Sequence, residues 1–514
     1  MLQGAGLPSK ALSGLDAVAE EYVTQEIGVA RRIAAALYPE PSRVLPQLFL
    51  PGEEFEVTRS RSDGIIHRVL ALPENEVERL VDELLADGAL RHYRYEEVLL
   101  AHAAAAKAHL PASEPVSRAR QLLIGAAFTA EVSVEGGALC NPSAVPHPDQ
   151  SGLGVGQLRV ALSVRGIAEG HISSIGFATA VIGPETTWLF EERTLPIVAA
   201  TTSDANWHRE HMRTVLDDRG QLDEFAWAVL DGLPELFTRR KFDIALSQAQ
   251  RGLYWTKRAI ETTAVMHTVL LSGYQAVFPA DVVIDQQVLF PHSPEEFKGM
   301  EDARFVQFTD EEGTVGYRAT YTAYDGHEIA PRLLTSPDLR SFRTHRFAGA
   351  AAINKGMALF PRMVGDRHAA LCRSDGETTS IAFSSDGIIW PDSQPIHGPD
   401  LSWEILQVGN CGPPLETERG WLVLTHGVGP MRTYSIGALL LDLDDPTRVI
   451  RKLATPLLHP HDGEREGYVP NVVYSCGGIV HNGILWIPYG IGDARIGVAW
   501  VPVDDLLDRM ERSG

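Results

Sequence analysis

Hydrophobic positions along the chain change their period more than once. After Leu72-Pro73-Glu74, residues Val77, Leu80, Val81, Leu84 and Leu85 recur at i, i+3, i+4, i+7 and i+8, which predicts an amphipathic helix. Pro73 suits its first turn and Gly88 its stop. Segments 16–37 and 96–110 carry similar patterns and also read as helices. From about Ala126 the apolar residues alternate or run on over strand lengths, as in 158–164 and 172–182. Helical texture returns between about Glu191 and Ala280, at 222–230 and 259–271. Strand-length runs then continue to the end, at 316–324, 369–372, 421–425, 436–443, 484–489 and 496–503.

A faint internal repeat lies in the last part. Thr335-Ser-Pro-Asp338-Leu-Arg-Ser-Phe342 resembles Ser384-Ser-Asp386-Gly-Ile-Ile-Trp390: each follows a strand, carries a Ser/Asp turn and ends on an aromatic residue. A period near 50 residues of short antiparallel strands is what propeller blades produce. The chain therefore reads as mainly β. A helical N-terminal region (1–118) precedes the first part of a β-propeller (119–190). A helical insertion (191–280) separates that from the remainder of the propeller (281–514).

Composition narrows the partners. The 514 residues carry 67 Asp+Glu against 45 Lys+Arg, a net charge of −22 without any basic block. So acidic a chain is not expected to bind nucleic acid or an anionic membrane through its overall field. It reads as taking a small ligand held by local basic residues. No apolar run is long enough to span a bilayer, and the first residues lack the features of a signal peptide. Cys140, Cys372, Cys411 and Cys476 are widely spaced, which fits reduced thiols in a cytoplasmic protein and no metal scaffold.

Most candidate motifs have a plain reading. Ser151-Gly-Leu-Gly-Val-Gly156 lacks the spacing and following helix of a phosphate loop and reads as a surface turn. His208-Arg-Glu-His211 has no third ligand in sight and reads as a solvated helix face, and His459-Pro-His461-Asp462 as a loop. Phe297-Lys-Gly-Met-Glu301-Asp302-Ala303-Arg304-Phe305 differs. Adjacent carboxylates beside a guanidinium can hold one acid protonated and another ionised, although spacing alone also fits a charged turn.

An ordered set of motifs over about 125–190 and 285–505 resembles glycoside hydrolase family 130, the inverting β-mannoside phosphorylases and β-mannosidases. The set comprises Asn141-Pro-Ser-Ala-Val-Pro146; Arg159 and Arg165-Gly followed by Ile172-Ser-Ser-Ile; Glu301-Asp302-Ala303-Arg304; and Tyr321-Thr-Ala-Tyr324. It continues through Asn354-Lys355, Leu359-Phe-Pro361, Gly412-Pro-Pro414, Gly420-Trp421 and His426-Gly-Val428. Val469-Pro-Asn-Val-Val-Tyr-Ser-Cys476 and Tyr489-Gly-Ile-Gly-Asp493 complete it.

The resemblance implies a five-bladed β-propeller with an axial site, one essential acid at Asp302, and a mannosyl subsite of Asn141, Arg159, Arg165, Glu301, Arg304 and Asp493 with His426 beside them. An inverting hydrolase needs a second carboxylate to activate water. A phosphorylase instead needs cations to hold an anion that is already a nucleophile. Arg332, Lys355 and Arg373 match the phosphate ligands of the family's phosphorylases. The implied reaction is therefore phosphorolysis of β-mannosides or manno-oligosaccharides to α-mannose 1-phosphate, a glycosyl transfer to inorganic phosphate with no metal or other cofactor.

Two departures stand out. Ala303 replaces the signature proline, and Ser374-Asp375 follows Arg373 where Asp375 could oppose phosphate or serve water as a base. An inverting β-mannosidase of the β-1,2 type is accordingly the alternative, with a non-catalytic sugar-binding propeller behind it. The helical additions would border the site or form a homo-oligomer interface.

Overall fold

A computed structural model describes residues 29–51, 61–106, 116–252 and 256–512. The fold is mainly β, and its antiparallel strands gather into five units in chain order. The first holds Ala138–Pro146, Leu158–Ile167, Ser173–Gly183 and Thr187–Phe190. The second holds Gly299–Thr309, Val315–Tyr324, Ile329–Ser336 and Ser341–Arg346. The third runs Ala358–Leu359, His368–Cys372, Thr379–Ser384 and Ser393–His397. The fourth runs Gln407–Asn410, Gly420–Val428, Tyr434–Leu441 and Val449–Lys452. The fifth combines Val473–Tyr474, Ile484–Ile491 and Arg495–Pro502 with Arg31–Leu37 from the other end of the chain.

Because strand side chains alternate, each middle strand feeds two cores. In Gly420–Val428, Trp421 and Val423 pack toward the third unit on Leu371 and Ile381, while Leu422 and Leu424 pack toward the fifth on Leu485 and Val501. The same division recurs throughout. Phe177 and Phe305 join the first unit to the second, and Leu333 and Ala370 the second to the third. Val160, Ala180, Trp486 and Ile496 join the fifth back to the first. The first two units also meet through one parallel pairing, Gly299 with Ser173. At Gly299, φ is +145° and a Cβ would lie 2.7 Å from the Ser173 amide nitrogen, so no other residue fits without displacement.

The turn repeat is physical. Asp338 Oδ1 accepts from the amides of Arg340 and Ser341, and Asp386 Oδ1 from those of Ile388 and Ile389. Ser336 and Ser384 hydroxyls each accept from the amide three residues on. Side-chain acceptors that bond backbone amides two or three residues later fix such turns without help from the sheet.

The region read as helical at the start is mixed. Arg61–Ala71, Glu74–Gly88, Tyr95–Ala105 and Arg118–Ala127 are helices, but they form an excursion between two paired strands, Val44–Leu48 and Thr129–Ser133. Of the helix expected over 16–37, residues 16–28 lie outside the described residues, and Arg31–Leu37 is a strand. Its Arg-Arg-Ile-Ala-Ala-Ala-Leu sequence favours helix locally. The open edge of Arg495–Pro502 supplies hydrogen bonds, and Leu37 finds the core between the fifth and first units. Residues 107–110 of the third expected helix likewise fall outside the described residues.

Between 191 and 280 the helices Arg209–Asp218, Glu224–Asp231, Arg239–Gly252 and Lys257–Leu271 enclose their own core, including Met212, Leu216, Phe225, Phe242 and Met266. They dock on the second unit's outer side: Asp218 Oδ2 accepts from the Gly349 amide, and the His211 ring bonds the Arg346 carbonyl at 2.7 Å. His211 is thus half-buried against the second unit rather than on a solvated face, and the desolvation lowers its pKa to about 4. Among the described residues no helix is long and apolar enough to cross a membrane.

Candidate active site

The innermost strands of the units converge on one cavity of about 560 Å3. Two facing backbone irregularities shape its floor. The register slips between Cys140 and Ser143 in Ala138–Pro146, and between Glu301 and Arg304 in Gly299–Thr309. Asn141 (φ +50°) and Asp302 (φ +55°) occupy these bulges in the left-handed region. A bulge turns a side chain out of the sheet's alternation, here into the cavity. The strain of a left-handed non-glycine residue, about 1–3 kcal/mol, persists only where surroundings hold it. Asp302 is held: its Oδ1 accepts from Asn141 Nδ2 at 2.6 Å and Arg165 Nη1 at 3.0 Å.

Arg165 and Arg304 anchor the acid from two sides. Arg165 also donates to Glu301 Oε1 at 2.8 Å and to Ser173 Oγ at 2.9 Å. Arg304 donates to the Asp302 carbonyl, the Cys411 carbonyl and the Tyr474 hydroxyl, tying the second, fourth and fifth units together. Glu301 is buried behind the lining and accepts from Lys355 Nζ at 2.5 Å. Burial pushes the Asp302 carboxyl up. Arg165, Arg304 and Lys355, with the Asn141 bond, outweigh this and hold it well below the usual carboxylate range.

Asp493, in the left-handed region at φ +48°, lines the same cavity. Burial raises its pKa to about 6 against the pull of Arg165, and the Asp302 charge adds to the rise. A raised pKa means the folded chain holds this proton more tightly than the unfolded one. The resulting stability is complete below the unfolded carboxyl's value near pH 4 and is lost as pH rises through 6. Asp493→Asn should therefore gain about 3 kcal/mol on the unmodified protein, in urea unfolding, between about pH 4 and about pH 8. A flat difference would show that Asp493 titrates normally.

On the other wall Arg373 Nη1 donates to His426 Nε2 at 2.8 Å. That bond requires a neutral acceptor nitrogen, and burial followed by Arg373 and Arg304 pushes the imidazole's pKa well down. Lys355, Arg373 and Arg432 complete a cavity lined by five cations with Arg165 and Arg304, against two carboxylates, Asp302 and Asp493. A chain of net charge −22 thus presents a local cationic pocket.

Asn141, Arg165, Asp302, Arg304, Lys355, Arg373, His426 and Asp493 line the cavity together, with Glu301 bonded behind them. Two expected residues lie away from it altogether. Arg159 lies six residues before Arg165 on one strand, roughly 20 Å away at 3.3 Å per residue. It bonds Glu191 and the Asp149 and Ser151 carbonyls at the outer end. Arg332 sits on the second unit's third strand and points away, fully buried, to the Glu295 carboxylate and the Ser272 carbonyl. Asp375 is a turn cap that accepts from the Glu377 and Thr378 amides and is not among the lining residues. Ala303 is buried in the core between the first two units. Tyr474 and Asn471 lie inside Val469-Pro-Asn-Val-Val-Tyr-Ser-Cys476, where their polar character was the available signal. Arg432, Gln407 and Tyr434 had none.

Comparison with known proteins identifies the family. Residues 254–512 match the family model Glyco_hydro_130, described as β-1,4-mannooligosaccharide phosphorylase. The chain is 35% identical over 230 residues to a 1,2-β-oligomannan phosphorylase of Thermoanaerobacter sp., covering 43% of this chain and 75% of that one. It is 34% identical over 219 residues to a β-1,2-mannobiose phosphorylase of the same organism, covering 42% and 70%. Among solved structures, the β-1,2-mannobiose phosphorylase of Listeria innocua in complex with β-1,2-mannobiose aligns with a TM-score of 0.44 at 21% identity, covering 74% of this chain and 93% of that one. The chain belongs to glycoside hydrolase family 130.

Proposed function

We propose that the protein cleaves β-mannosides or manno-oligosaccharides by inverting phosphorolysis and releases α-mannose 1-phosphate. The observation that carries this reading is the set of five cations, against two carboxylates, in one cavity of an otherwise strongly acidic chain. The units, with five cores linking each to the next and the last to the first, support a five-bladed propeller whose axis holds the cavity. The carbohydrate phosphorylases named among the relatives support the reaction class.

In this reading Lys355 and Arg373, with Arg432 nearby, hold phosphate, and Asn141, Arg165, Arg304, His426 and Asp493 hold the mannosyl unit around Asp302, with Glu301 behind them positioning Arg165 and Lys355. A phosphate dianion placed among the cations cancels much of the field that keeps Asp302 ionised. The acid can then carry a proton for the leaving oxygen. Phosphate oxygen bonds to the anomeric carbon from the opposite face as the glycosidic bond breaks. Asp302 gives its proton to the departing oxygen, directly or through a sugar hydroxyl. The proton of hydrogen phosphate restores the acid, so the enzyme ends unchanged. No cofactor takes part beyond phosphate as co-substrate. Hydrolysis is disfavoured because Asp375, the candidate base for water, is occupied as a turn cap.

The four buried, free cysteines support a reducing, cytoplasmic setting. Among the described residues, the helical segment 191–280 contributes nothing to the cavity lining and exposes Trp227, Ile244 and Ile260, which suits a homo-oligomer contact.

Cleavage of a β-mannoside should rise with phosphate and saturate, with α-mannose 1-phosphate as the sugar product. Charge-assisted bonds to phosphate are worth roughly 1.5–3 kcal/mol each. Lys355→Ala and Arg373→Ala should thus raise the apparent phosphate requirement by about one to two powers of ten, more than they impair mannoside binding. Release of free mannose in phosphate-free buffer at an undiminished rate would overturn the proposal.

A further inference from the structure

We infer that His397, Asp400 and Glu404 form a binding site for a divalent transition cation, on the side of the fourth unit's wall that faces away from the cavity. His397 ends the strand Ser393–His397, Asp400 and Glu404 follow on the short connection to Gln407–Asn410, and their ligand atoms fall within 4.8 Å of one another.

Glu404 is the residue that requires an explanation. It is 2% exposed, and its Oε2 receives no hydrogen bond. The nearest basic atom, His397 Nε2, stands 3.4 Å from each carboxylate oxygen, too far for a good bond. A buried carboxylate so poorly satisfied is costly unless something else neutralises it. The side chain has little room to swing away. Its Cγ lies 2.7 Å from where a Cβ would stand on Gly427, a position only glycine leaves open, and Trp403 packs over Gly427 and Gly437 beside it. The Glu404 amide bonds the Leu401 carbonyl, which fixes the turn.

Asp400 supplies the third donor from the solvent edge, where Lys452 pairs with it. That arrangement gives a route in: an arriving cation takes over the carboxylate from an ammonium that can return to water. One imidazole nitrogen with two carboxylates suits Zn2+ or Mn2+ better than Ca2+ or Mg2+, which prefer all-oxygen shells. Water would complete the coordination.

The position gives the ion a structural task. Gly427 follows His426, whose ring lines the cavity, and strand alternation sends the two positions to opposite faces. The connection ends with the Leu406 amide bonded to the Val428 carbonyl and continues into Gln407, another lining residue. A cation at 397–404 would therefore clamp the wall that carries His426 and Gln407 without touching the reaction.

Zn2+ titrated calorimetrically into the full chain, freed of any affinity tag and stripped with a chelator, should bind at one equivalent and raise the melting temperature. Glu404→Gln keeps the shape of the side chain and should weaken that binding by about 100-fold or more, as should His397→Gln, since even supporting residues around metal sites are worth 10–100-fold. The thermal shift should disappear with it, while the circular dichroism of Glu404→Gln stays that of the unmodified protein. Absence of a saturable equivalent in the unmodified chain would overturn the inference. So would a folded Glu404→Gln that binds Zn2+ as tightly as before, because the metal would then sit elsewhere.

Discussion

Asp302→Asn should keep the fold and the affinity for sugar while losing about 10²–10⁴-fold in turnover on an unactivated β-mannoside, the usual contribution of a positioned general acid. The geometry makes this substitution clean. The amide oxygen can take the place of Oδ1 and accept from Asn141 and Arg165, so the bulge at φ +55° keeps its anchors. What disappears is the carboxyl proton for the leaving oxygen. A p-nitrophenyl β-mannoside, whose leaving group departs without protonation, should lose much less. That split between substrates distinguishes a missing proton from a disturbed pocket. Near-normal turnover on both would place the proton donor elsewhere, with Asp493 the next carboxyl to test, since it holds a proton up to about pH 6.

Strands were legible in the sequence where both faces are buried. Trp421-Leu-Val-Leu-Thr425 and Ile484-Leu-Trp-Ile-Pro-Tyr489 read as continuous apolar runs because each feeds two inter-unit cores. The Ser/Asp turns were legible because their bonds are local. Arg31–Leu37 was not, since its conformation is set by the edge of Arg495–Pro502, over four hundred residues away. The site divides in the same way. Asn141, Asp302 and Asp493 stand in recognisable motifs and share a property that pattern alone does not show, a left-handed backbone at an inner position. Arg159 and Arg165 were equivalent as letters. Only their separation along one extended strand tells them apart. Arg432 reaches the cavity from a turn with no motif of its own, so charge pattern could not have found it.

Arg332→Met should destabilise the protein by about 3–5 kcal/mol, the range for breaking a buried ion pair from one side, and leave the phosphate requirement of the surviving folded enzyme unchanged. Arg332 is wholly buried between the second unit and the helix Lys257–Leu271, where it donates to Glu295 and to the Ser272 carbonyl at that helix's end. Glu295 also accepts from Arg346 and Arg219, so it keeps part of its compensation. The neighbouring Glu296 does not: it relies on the Tyr274 and Tyr321 hydroxyls and two amides, with Arg332 as the cation near it. Removing the guanidinium thus leaves one carboxylate under-neutralised and the Ser272 carbonyl with only the Thr344 hydroxyl, all out of water. Methionine fills most of the volume, so little of the loss comes from a cavity. Urea unfolding gives the stability, and initial rates against phosphate at a temperature where the variant is folded give the second quantity. A variant of unchanged stability whose phosphate requirement rises tenfold would return Arg332 to the anion site, and would mean that its side chain leaves Glu295 when phosphate enters.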